Sequence, residues 1–312
     1  MGKIAFLFDG QGSQYPGMAK DIFEQIGTVH NLFGVAEAIR PDTLRQMFFG
    51  TEEELKRTDN AQPCLFLTDV AAAEALMKHG IQPDVLAGFS LGELAALAVA
   101  GILEMPEMFK VVCTRGELMQ QAAEKTCGGM LAILGMDREE VLALCNDYEV
   151  YPVNYNCPGQ IVVSGKAEKI AQMKDKLLQC KTRFAELAVG GPFHTPYMES
   201  ASDGIKALLQ KKVQAINSPA LPVYSNLTAS PYENDKERII ATISTQLKSP
   251  VKWEDTILAM AKDGVDVFIE CGPGKALSGF VKRIVKGVRI YNVCDMESLL
   301  KVVGELKENV GE

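Results

Sequence analysis

The chain has 312 residues, 47% hydrophobic and 23% charged, with a formal net charge of −8. That is ordinary globular composition, enough for two domains or for one with a lobe. The acidic balance excludes the dense basic surface of a general nucleic-acid binder. Eight cysteines (64, 113, 127, 145, 157, 180, 271 and 294) occur singly, without C-x-x-C or metal-ligand spacing. This predicts reduced thiols, a cytosolic setting and no metal site.

Met1 to Phe8 is too short for a secretory signal, Phe6 breaks the myristoylation pattern, and no apolar run reaches membrane-spanning length. Ile4 to Phe8 instead predicts a buried strand of a parallel sheet. It ends in Asp9-Gly10-Gln11-Gly12-Ser13-Gln14, a tight βα turn or an anion nest, but not a phosphate loop of the G-K-[ST] type. Helical patterns follow over Met18 to Ile26, Thr28 to Ile39 and Thr51 to Lys56, the last with Thr51 as cap. A longer helix, Ala61 to His79, stops at Gly80, and His79 serves its carbonyl end.

Val85 to Phe89 then predicts a strand running into Gly88-Phe89-Ser90-Leu91-Gly92 and a small-residue helix. This fits the G-x-S-x-G nucleophile elbow, and it also fits a merely tight strand-to-helix turn. Pro106 opens a helix to about Lys125 as its first residue. That helix puts Val112, Arg115 and Met119 on one side; Arg115 there either pairs with a core carboxylate or is held for an anionic substrate.

Residues 128–187 read as strand, helix, two strands, helix and strand, the ferredoxin-like order. The loop Gly190 to Met198 follows. Strands at Leu221 to Ser225, Val265 to Glu270 and Val288 to Val293 then alternate with helices and resume the parallel pattern. The expected fold is an α/β-hydrolase-like core from residues 1–126 and 190–312, with a ferredoxin-like subdomain at 127–189. A ligand cleft is expected between the two.

A serine hydroxyl needs a base. Of three histidines, His79 is spent on a helix end and His30 lies on an amphipathic surface helix. His194, in a Gly/Pro-shaped loop before a helix N-terminus, is left as the partner of Ser90. No acid stands out to complete a triad.

The segments GQGSQ (10–14), GFSLGE (88–93), TRGELMQ (114–120), NYNCPGQIVVSG (154–165), GPFHTPYM (191–198), QLKSPVKW (246–253) and ECGPGKAL (270–277) together resemble the malonyl-CoA:acyl-carrier-protein transacylase family over almost the whole chain. The resemblance implies Ser90 as acylated nucleophile and His194 as its base, with the backbone N–H groups of Gln11 and Leu91 as oxyanion hole. It implies Gln246 as the residue whose carbonyl orients the histidine, so that a dyad does the work. Arg115 would grip the malonyl carboxylate, and Met119, Phe193 and Asn156 complete the substrate-binding candidates. The implied reaction is ping-pong transfer from malonyl-CoA to the phosphopantetheine thiol of an acyl carrier protein, in fatty-acid or polyketide synthesis. It needs no metal or other cofactor, and nothing in it demands more than a monomer.

Lys282 and Arg283, with Lys286 and Arg289, form the densest basic cluster, and Lys181 with Arg183 a second. Both fit an acidic carrier and also fit solvated helix faces. Two positions depart from the family pattern. Phe89 stands where histidine is usual, which predicts altered packing beside the nucleophile. Asp9 stands where proline is common and is expected to point to solvent, away from an oxyanion.

Overall fold

The computed structural model describes residues 2–308. Its larger sheet is entirely parallel. Its strands are β1 (Lys3–Phe8), β2 (Val85–Gly88), β7 (Val223–Tyr224), β8 (Val265–Cys271) and β9 (Arg289–Val293), in the order β7-β2-β1-β8-β9. The smaller sheet is antiparallel, with β3 (Gly128–Leu134), β4 (Tyr151–Cys157), β5 (Gln160–Lys166) and β6 (Arg183–Glu186) in the order β4-β5-β3-β6. Read in its own strand sequence that is 2-3-1-4, the ferredoxin-like arrangement.

Strand alternation explains the layering, since neighbouring side chains leave opposite faces. Ile4, Phe6 and Phe8 join the large core under helices Thr58–Lys78, Gly92–Val99 and Met105–Thr126, while Ala5 and Leu7 face Trp253, Ile257 and Leu277 on the other side. With both faces covered, β1 is apolar at every position from Ile4 to Phe8. Ile4, Phe6, Leu7 and Phe8 each contribute about 1.5–3 kcal/mol relative to leaving them in water. In the small sheet Leu131 and Ile133 pack on that unit's own helices, Arg138–Tyr148 and Ala167–Gln179. Met130 and Ala132 face the larger unit instead. The seam between the units is tied by the backbone: Val251 donates to the Val153 carbonyl at 2.8 Å and accepts from Tyr155 N–H at 3.0 Å.

Several boundaries differ from the sequence pattern. The helix expected from Ala61 starts at Thr58 and carries Pro63 inside it. Proline frees the carbonyl four residues back, and that carbonyl, of Asp59, accepts from Arg40 Nη2 at 3.3 Å. Pro106 is the second helical residue rather than the first, with Glu104 before the helix and Met105 leading it. β6 ends at Glu186; Leu187 still donates to the Met130 carbonyl at 3.1 Å and lines the cleft.

Candidate active site

β2 delivers the chain into the turn, and the helix Gly92–Val99 leaves it. Ser90 sits between them with φ 53°, in the left-handed region that a residue with a Cβ seldom adopts. The two flanking glycines are obligatory: a Cβ at Gly88 would collide with the Gly92 backbone, and one at Gly92 with the Phe8 carbonyl. The elbow is therefore packed backbone against backbone on the first strand.

His194, 104 residues away, also has a left-handed backbone (φ 59°) and is buried. Its Nε2 lies 2.8 Å from Ser90 Oγ. Its Nδ1 lies 3.0 Å from the Gln246 carbonyl and 3.2 Å from that of Ser249. Two carbonyls can only accept, so Nδ1 carries the proton and Nε2 is free to take the serine's. Burial, with help from the Arg115 charge, brings the imidazole pKa down to about 4 against the pull of the two carbonyls. The sequence pointed to Gln246, and its contact with the histidine is through the main chain.

Arg115 is fully buried. Its Nη1 donates to Gln62 Oε1 at 2.8 Å, and its Nη2 to Gln246 Oε1 at 3.1 Å and Ser90 Oγ at 3.3 Å, while Nε has no partner. Among the described residues it makes no ion pair. Glu93 is the acid that acts on it, and burial prevails, lowering the guanidinium pKa to about 10. Of the two readings of Arg115, pairing with a core carboxylate is not what the structure contains. Met119 accepts from Gln62 Nε2 at 3.3 Å and, with Phe193, Met130 and Gln11, closes a cavity of about 50 Å³ over Ser90 and His194. An outer pocket of about 330 Å³ shares Gln11, Phe89 and Asn154 with it and continues past Asn156, Gln160 and Phe280. The side-chain oxygens of Asn154 and Asn156 are buried without a partner.

Leu91 follows the nucleophile at the helix start, and the Gln11 loop lies over the same cavity. The expectation for Asp9 is overturned. Its side chain is 2% exposed and turned beneath the loop, where Oδ2 accepts from Gly274 N–H at 2.6 Å. Glu270 and Asp69 lie beside it, and burial first, then the Glu270 charge, drives the Asp9 pKa well above the carboxylate range. A buried acid escapes its desolvation cost by keeping its proton and finding hydrogen-bond partners, so solvent is not its only refuge. Phe89 packs edge-on to Trp253 at 5.5 Å between ring centres and against Phe280 at 6.5 Å, apolar contacts that fill the place beside the nucleophile.

Of the basic residues, Lys282, Lys181 and Arg183 are exposed. Arg283 is exposed but engaged, donating to Gln160 Oε1 at 3.0 Å and the Pro158 carbonyl at 3.3 Å on the β4–β5 turn. Arg289 faces Asp266 at 3.7 Å. Sequence reasoning missed Gln62, Asn154 and Asn226, the last of which accepts from Ser90 N–H at 2.8 Å. Gln62 carried no signal that sets it apart from Asn60, Thr68 and Asp69, buried polar residues of the same helix. Asn226 carried none either, and Asn154 only its place at the head of the segment 154–165.

The described helices include none long and apolar enough to cross a membrane. Residues 5–312 match the profile of a family described as the acyl transferase domain. Malonyl CoA-acyl carrier protein transacylase of Bacillus subtilis (strain 168) is 39% identical over 315 residues, 99% of this chain and 98% of that protein. The protein of the same name from Staphylococcus aureus (strain MW2) is 37% identical over 307 residues, covering 96% and 98%. The crystal structure of the Clostridium perfringens malonyl CoA-acyl carrier protein transacylase superposes with a TM-score of 0.92 at 36% identity, over 98% of each chain. A malonyl-transacylase in complex with its holo type II PKS acyl-carrier protein superposes equally well, TM-score 0.92 at 33% identity, over 97% of this chain and 99% of that one. Likeness of that extent, carried by sequence and by shape, makes this chain a member of the acyl transferase domain family, alongside the malonyl CoA-acyl carrier protein transacylases.

Proposed function

We propose that the protein transfers malonyl groups from CoA to the phosphopantetheine thiol of an acyl carrier protein, through a malonyl ester on Ser90. The observation that carries this is Arg115: a fully buried guanidinium without an ion pair, in reach of Ser90 Oγ, beside a cavity of acyl size. An unpaired buried charge is costly, and an anionic acyl group is what relieves it.

In the first half-reaction Ser90 Oγ gives its proton to His194 Nε2 and attacks the thioester carbonyl. The oxyanion faces the N–H groups of Gln11 and Leu91. Collapse breaks the carbon–sulfur bond, and the CoA sulfur leaves with the proton from His194. In the second half the carrier's thiol gives its proton to the same nitrogen, attacks the ester and releases Ser90. An imidazole whose pKa lies near 4 is a strong acid once protonated, which suits it to return the proton quickly. The reaction calls for no cofactor beyond the carrier's own pantetheine arm.

Mixing the protein with malonyl-CoA and digesting it is the direct test. A malonyl adduct on the Ser90 peptide, absent in Ser90→Ala, is the expected result; an adduct elsewhere rejects the elbow.

The carrier complex known for one relative supports a protein acceptor here. Arg283 touches the β4–β5 turn, Gly135 donates to Gly159 in that turn, and Arg183 lies next to Gly135. The two basic clusters therefore share one rim beside the outer pocket. We place the acidic carrier there, with Lys282, Lys181 and Arg183 as free charges and Arg283 as part of the frame. Reversing Lys282 and Lys181 to glutamate should raise KM for the carrier several-fold at low salt and leave KM for malonyl-CoA unchanged. Equal rises in both constants exclude this rim.

A further inference from the structure

Ser90 keeps a disfavoured backbone conformation, and such a residue persists only where its surroundings over-determine it. Both of its peptide groups are held by buried side chains. Its N–H donates to Asn226 Oδ1 at 2.8 Å, and its carbonyl accepts from Gln246 Nε2 at 2.7 Å. The Asn226 amide can face only one way, because its Nδ2 donates to the Gly88 carbonyl at 2.7 Å, on the other side of the turn. Asn226 therefore staples the strand end to the nucleophile.

Asn226 is itself anchored. Its backbone N–H donates to Glu93 Oε2 at 2.7 Å, and the other oxygen of Glu93 accepts from the Tyr232 hydroxyl. Gln246 Nε2 lies 3.4 Å from both Glu93 Oε2 and Asn226 Oδ1. Asn226, Glu93, Gln246 and Tyr232 are all buried, so water does not compete for these bonds. Asn226 lines neither of the two pockets at Ser90.

We infer that Asn226, set in place by Glu93 and Tyr232, is a positioning residue that holds the Ser90 peptide so that Oγ stays on His194 and the Leu91 N–H stays turned to the oxyanion. This rests on the reading of Ser90 as the acylated nucleophile.

The test measures single-turnover labelling of Ser90 by two probes, malonyl-CoA and a fluorophosphonate that reacts with activated serines whatever their acyl preference. Asn226→Ala loses two buried hydrogen bonds at once and should slow both labels by about 10- to 100-fold at unchanged KM for malonyl-CoA. Asn226→Asp keeps the shape but, ionised, sets an oxygen against the Gly88 carbonyl. Protonated, its O–H donates to that carbonyl while its C=O accepts from Ser90. Its rate relative to wild type should therefore climb as pH falls from 8 to 6, a rescue that Asn226→Ala cannot show. The titratable groups facing this position are Glu93, Tyr232, Arg115 and His194. Burial raises Glu93 to about 7, inside this window, and Glu93 is coupled to any carboxyl at 226, so the ratio is also taken in a Glu93→Gln background, where the climb should persist. Should Asn226→Ala fail to fold, the pH ratio of Asn226→Asp decides.

Labelling of Asn226→Ala at the wild-type rate, or a flat Asn226→Asp ratio, overturns the inference. Wild-type protein labelled by the fluorophosphonate but not by malonyl-CoA would fault the proposed substrate alone. Protein inert to both would reject the nucleophile and the positioning role together.

Discussion

Arg115→Ala should cut kcat/KM for malonyl-CoA by roughly 100-fold or more, two charge-assisted hydrogen bonds being worth about 1.5–3 kcal/mol each. Acetyl-CoA should lose far less, so that the malonyl-to-acetyl preference falls by at least about tenfold. In the structure Nη2 rests on Ser90 Oγ and Gln246 Oε1, and Nη1 on Gln62. A neutral acyl group leaves the guanidinium on these partners, with no carboxylate in contact with it. A malonyl carboxylate supplies the match. Alanine removes both the attraction for one substrate and the penalty for the other. Competition assays with both thioesters at equal concentration read the ratio directly, and an unchanged ratio would sink the assignment of Arg115 to the acyl carboxylate.

The second large effect is expected at His194. Its replacement by alanine leaves Ser90 Oγ without the group that takes its proton, and Ser90 acylation should fall by roughly 10⁴-fold or more. The wild-type pH profile carries a finer signature. The base works as neutral imidazole, and burial depresses its pKa to about 4. The neutral form thus persists in acid, and kcat/KM should hold as pH falls past about 6.5, the ordinary histidine value, dropping only as it approaches 4. A midpoint near 6.5 would mean that the proton acceptor is a solvated group.

What could be read in the sequence was whatever the chain states locally. The apolar run Ile4 to Phe8, the G-x-S-x-G turn and the β-α-β-β-α-β order are each written in adjacent residues, and the strands fall within a few positions of their patterns. His194 was reachable because only three histidines compete. Arg115 was visible as a charge on an apolar helix face. Asn226 was not, since nothing in Ser225-Asn226-Leu227-Thr228 distinguishes a buried staple from an ordinary turn asparagine. Its role depends on contacts 133 and 136 residues away. Asp9 was misread for a related reason. A carboxylate next to an oxyanion site looked fit only for solvent, but β8 brings Glu270 and the Gly274 N–H beneath the loop from the far end of the chain. That supplies a hydrogen-bonded place for a protonated acid.

The acids packed under that loop leave a thermochemical trace. Asp9 and Asp69 both have pKa values raised well above normal by burial, so between the unfolded and the raised folded values they hold protons when folded and lose them when the chain opens. By linkage, stability from these groups is full below the unfolded carboxylate pKa of about 3.9 and is lost as pH rises toward the raised folded values. Unfolding at a pH between those values therefore discharges protons into the buffer. Calorimetric unfolding enthalpy should be smaller in Tris, which releases much heat on taking up a proton, than in phosphate, which releases little. Asp9→Asn, which mimics the protonated acid permanently, should narrow the gap between the two buffers; equal enthalpies in both would mean that these carboxyls are already ionised in the folded protein.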